Sequence, residues 1–82
     1  MTRIKETPEL RLIRQWYERI SHGAQPTHDE LQCHFRSYAD QAEILVRRVK
    51  EGQPWEDFVM GLDGAPEILR RRLSKHVLDA RS

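Results

Sequence analysis

Apolar residues recur at helical spacing from Leu10 to Ala80, with polar residues filling the positions between them. Leu10, Ile13, Tyr17 and Ile20 stand about one turn apart, and Leu12 and Trp16 widen their stripe. Ahead of them, Thr7-Pro8-Glu9 supplies an N-cap, a proline at the first helical position and an acid near the positive end of the helix dipole. Ser21-His22-Gly23 provides a stop, because glycine readily takes the left-handed conformation that closes a helix. This pattern predicts a first helix over 8–21, with the polar residues 1–6 frayed.

Thr27-His28-Asp29-Glu30 has the spacing of a capping box, and neither glycine nor proline follows until Gly52. Leu31, Phe35, Tyr38, Ala42, Leu45 and Val49 then form a heptad seam flanked by Ala39 and Val46. The expectation is one unbroken helix over about 28–51, roughly 36 Å long at 1.5 Å per residue, serving as the spine. Gln53-Pro54 opens a short helix bearing Trp55, Phe58, Val59 and Leu62, and Asp63-Gly64 forms a turn. Pro66 begins the last helix, with Leu69, Leu73, His76, Val77 and Ala80 as its stripe. Short connections place consecutive helices side by side. The predicted fold is therefore an all-α bundle of three main helices plus one short helix, a single domain over residues 1–82.

Composition adds a second expectation. The chain is 38% apolar and 33% charged, leaner in apolar residues than the usual share of about 45–50%. Solvated outer helix faces produce such a balance, and so do subunits that complete their core by pairing. Ile44 and Cys33 sit on the back of the second helix, and Ile68 and Leu78 lie off the stripe of the last. This surplus of apolar surface predicts a homo-oligomer, most simply a homodimer. The single cysteine cannot close an intrachain disulfide. MTRIKETPEL carries no signal-like apolar run, and no stretch approaches the length needed to span a membrane, so a cytoplasmic protein without membrane contact is expected.

Net charge is only +1, too small for a global field that would draw the protein to polyanions. Its distribution is uneven: the middle segment 27–65 holds eight acidic and four basic residues, whereas 66–82 holds five basic and two acidic. Arg70, Arg71, Arg72 and Lys75 cluster in the last helix, but successive residues fan by about 100°. Arg71 and Lys75 share a face with Ile68 and Leu78, with Arg72 at its edge. A mixed basic and apolar face suits a protein interface, where arginine is enriched. The alternative is a nucleic-acid contact through this helix and the basic residues of the first. A helix-turn-helix reading is poor, because Pro66-Glu67 would stand where base-reading residues belong. Acidic Glu56, Asp57 and Asp63 would also neutralise the arginines if their segment packs alongside.

Catalytic and metal chemistry find little support in the spacing. His28 and Cys33 are separated by about 140° around one helix, and His22 and His34 complete no converging pair of the kind a zinc site needs. Glu56 and Asp57 are sequence neighbours and do not face each other. No glycine-rich phosphate loop is present. The expectation is a non-enzymatic module without metal or cofactor, acting as a regulator, inhibitor or adaptor on the surface of another protein. Trp16 and Trp55 are the least central aromatics of their stripes, and tryptophan is enriched at binding hot spots. The expected partner-binding residues are Arg71, Arg72, Lys75, Ile68, Leu78, Trp16 and Trp55.

Overall fold

The structure is a computed structural model that describes residues 6–81. Of the segment 1–6 expected to fray, only Glu6 falls among the described residues. The fold is all-α, as the periodicity predicts. Its elements are α1 (Pro8–Ser21), α2 (His28–Phe35), a 3-10 turn (Arg36–Tyr38), α3 (Ala39–Lys50), α4 (Trp55–Asp63) and α5 (Glu67–Arg81). No strand occurs among the described residues.

Local chemistry sets most of the boundaries. Thr7 Oγ1 accepts from Leu10 N at 3.2 Å at the start of α1, and Thr27 Oγ1 accepts from Glu30 N at 3.1 Å at the start of α2. Each bond satisfies a donor that the first helical turn leaves unpaired. Gly23 ends α1 at φ +105° and Gly52 ends α3 at φ +99°. In both turns the glycine N–H and the next N–H return to the helix: Gly23 to Ile20 O at 3.1 Å and Ala24 to Arg19 O at 2.9 Å, then Gly52 to Val49 O at 3.0 Å and Gln53 to Arg48 O at 3.1 Å. This is the Schellman arrangement, which needs a left-handed residue at each site.

The expected unbroken helix over 28–51 is divided. Arg36 adopts φ 50°, ψ −116°, a conformation that ends α2 before the 3-10 turn redirects the chain. For a residue with a Cβ this costs on the order of 1–3 kcal/mol. Burial explains why it persists. The break lets α2 pack against α5 while α3 packs against α1, and one straight rod would not serve both. It also changes the seam. Leu31, Phe35, Ala39, Ala42, Val46 and Val49 are buried, whereas Tyr38 and Leu45 are only partly covered. The core is one cluster that joins these residues to Ile13, Trp16 and Ile20 of α1, Phe58 and Leu62 of α4, and Leu69, Leu73 and Val77 of α5.

Candidate functional site

On α5 the inward stripe Leu69, Leu73 and Val77 is enclosed. The opposite side presents Ile68 at 41% exposure and Leu78 at 52%, with exposed Arg71 and Lys75 between them. Their 3-4-3 spacing puts all four on one helical face, as the sequence predicts. Aliphatic side chains at the two ends and cations in the middle give this face both chemistries within one helix.

The three arginines take different roles. Arg70 reaches Asp63 at 4.0 Å across the turn between α4 and α5. Arg71 pairs one turn back with Glu67 at 3.2 Å, both largely exposed, and exposed pairs of this kind contribute only about 0.2–1 kcal/mol. Arg72 donates from Nη1 to the His34 carbonyl at 3.1 Å, where it ties α5 to the C-terminal end of α2. Arg72, expected to bind a partner, is thus half-buried against the protein's own backbone. Asp63 does lie beside an arginine, which reduces the cationic field as the acidic middle segment suggested.

The tryptophans do not join the α5 face. Trp16 is 2% exposed and stacks on Phe58 at 6.0 Å. This corrects its expected place at the margin of α1, because the burial there centres on Ile13, Trp16 and Ile20 rather than on Leu10 and Tyr17. Trp55 belongs to an aromatic group between α1 and α4. It meets Tyr17 edge-on at 5.4 Å and Phe58 at 5.8 Å, and the Arg14 guanidinium lies 5.5 Å above its ring. The Tyr17 hydroxyl donates to the Gln53 carbonyl and anchors the start of α4 to α1.

A feature the sequence did not indicate lies where α2 meets α5. His34 and His76 stack with ring centroids 4.3 Å apart and planes 18° from parallel. Phe35 flanks His76 at 5.7 Å, and His34 Nδ1 lies 3.8 Å from Asp79 Oδ2. Both ring nitrogens of His76 are enclosed without a hydrogen-bond partner among the described residues. Burial holds the His76 pKa below its ordinary 6.5, reinforced by His34 and more weakly by Arg19, while Glu30 and Asp79 pull in the opposite direction. The two histidines lie 42 positions apart in sequence, so no local spacing rule pairs them.

Two clefts border these elements. One of about 440 Å³ runs between the start of α1, α4 and Arg70, with Leu10, Val59, Met60 and Leu62 in its lining. A second of about 210 Å³ lies between the end of α1, the loop before α2, Glu30 and His76. Of the other histidines and Cys33, His22 Nδ1 lies 2.7 Å from the Glu18 carbonyl at the end of α1, while His28 and Cys33 are exposed on α2. Among the described residues no three His, Cys, Asp or Glu side chains converge as metal ligands, and no helix is long and apolar enough to cross a membrane.

No protein-family model matches the chain, and no curated protein or solved structure is similar to it.

Proposed function

We propose that this protein is a small protein-binding module, acting as a regulator, inhibitor or adaptor through the solvent face of α5. The observation that carries the reading is the exposure of Ile68 and Leu78 on the face that bears Arg71 and Lys75. Leu69, Leu73 and Val77 already dock the helix, and Ile68 and Leu78 add apolar surface outside that stripe. Covered by a partner, they would contribute about 25 cal/mol for each Å² removed from solvent. Arg71 and Lys75 suit a partner surface that combines acidic and apolar groups. Pairing of two copies through this same face would set Arg71 and Lys75 against their own counterparts, so the expected homodimer fits this face less well than a different, acidic partner does.

A nucleic-acid role draws less support, since Arg70 and Arg72 are engaged within the protein and do not line a common phosphate track with Arg71. The test is affinity capture from the native host with the wild type and with Ile68→Asp/Leu78→Asp. Urea unfolding of the double variant checks that it remains folded, since both positions are only partly exposed. A co-purifying protein lost in the variant supports the reading. Equal capture by both refutes α5 as the docking face.

A further inference from the structure

α2 is eight residues long and is held at both ends by backbone that departs from the helix. Gly23 at φ +105° opens the loop before it, and Arg36 at φ 50° ends it. Its attachment to α5 runs through few side chains: Leu31 and Phe35 in the core, the His34 ring on His76, His34 Nδ1 at 3.8 Å from Asp79 Oδ2, and the His34 carbonyl on Arg72. We propose that α2 is an acid-released flap, kept on α5 by the His34–His76 stack and hinged at Arg36.

The charge balance around His76 sets the direction. His34 and Glu30 face it from α2, Asp79 from α5 and Arg19 from α1, and the Arg72 guanidinium sits on the carbonyl of His34. A proton on His76 would be enclosed without a hydrogen-bond acceptor and stacked on a ring that repels it once that ring is charged. The two carboxylates work against this effect but do not reverse it, so the pKa in the closed state lies below the ordinary 6.5. Once α2 swings away, His76 meets water and regains its ordinary proton affinity. The open state therefore binds more protons than the closed one. Closure is most favoured above pH 6.5 and weakens as pH falls through 6.5 toward the depressed value.

The geometry favours release of α2 rather than collapse of the whole bundle. The cleft of about 210 Å³ already brings open space to one side of His76, between Arg19, Pro26 and Glu30. Opening exposes Leu31 and Phe35 and uncovers part of the α5 stripe, while α1 still meets α5 and α3 still meets α1 through residues outside α2. Acid would thus raise the fraction of molecules that present this apolar groove. Release of α2 does not require a partner on the α5 solvent face.

Hydrogen exchange read by mass spectrometry, at several pH values from 7.5 to 5.5 and corrected for the intrinsic chemical rate, tests it. Amides of 31–35 should lose protection by up to about tenfold per pH unit below 6.5, the limit for uptake of one proton on opening. Protection in α1 and α5 should hold. His76→Gln should abolish the pH response, and His28→Gln, at an exposed position, should leave it intact. His76→Phe keeps a ring against His34 and Phe35 but cannot take a proton, so it must also be flat; it serves if the glutamine variant does not fold. Protection of α2 that is independent of pH, or lost in step with α1 and α5, overturns the proposal. So does a wild-type slope in a folded His76 variant.

Discussion

Phe35 is fully enclosed while Leu45 is only half-covered, although both occupy the same heptad seam. The turn at Arg36 separates them: it leaves Phe35 against α5 and rotates the following residues so that Ala42 and Val46 lead inward. Phe35→Ala should therefore cost about 3–5 kcal/mol, and Leu45→Ala less than about 2 kcal/mol, below the range for enclosed leucines. Urea unfolding of the two variants checks the order, and equal losses would mean that the seam runs straight through. Single positions were legible to different degrees. Ile44, Ile68 and Leu78 are exposed as their place off each stripe implies. The stripe of α1 was wide enough to accept two centres, and only its packing against α5 and α3 selects the one that buries Trp16.

Helix ends could be read from the sequence because their causes are local. Thr7, Thr27, Gly23 and Gly52 each act on backbone groups within five residues, and each performs the role its identity implies. Arg36 could not be read in this way. No glycine, proline or asparagine marks the break, which is enforced by neighbours distant in sequence. Arg36→Gly separates the two pictures by sign. At φ 50° glycine removes steric strain, which offsets the entropy it adds to the unfolded chain. The variant should be neutral or more stable by up to about 2 kcal/mol. In the middle of an unbroken helix the same change would cost about 1 kcal/mol. A denaturant midpoint lowered by that amount would argue against the hinge.

At the scale of the whole molecule, the class of fold followed from periodicity, since every apolar run is helical and none alternates. The arrangement of the helices did not, because each amphipathic helix specifies a face but not the neighbour that covers it. The His34–His76 stack is a product of that arrangement, and the docking face of α5 is what remains once its inner stripe is used. The four residues Ile68, Arg71, Lys75 and Leu78 were already grouped by spacing alone, whereas Arg72, Trp16 and Trp55 were drawn into internal contacts that only the assembled bundle reveals.

The most direct test of the α5 face is site-specific photo-cross-linking in the native host. Benzoylphenylalanine would replace Leu78 on that face and, as a control, exposed Gln41 on α3. The account predicts a discrete adduct from position 78 and none from position 41. The adduct would be either a second protein or, at twice the 9.8 kDa chain mass, another copy of this one. Equal labelling from both positions, adducts with nucleic acid alone, or no adduct from position 78 would contradict it.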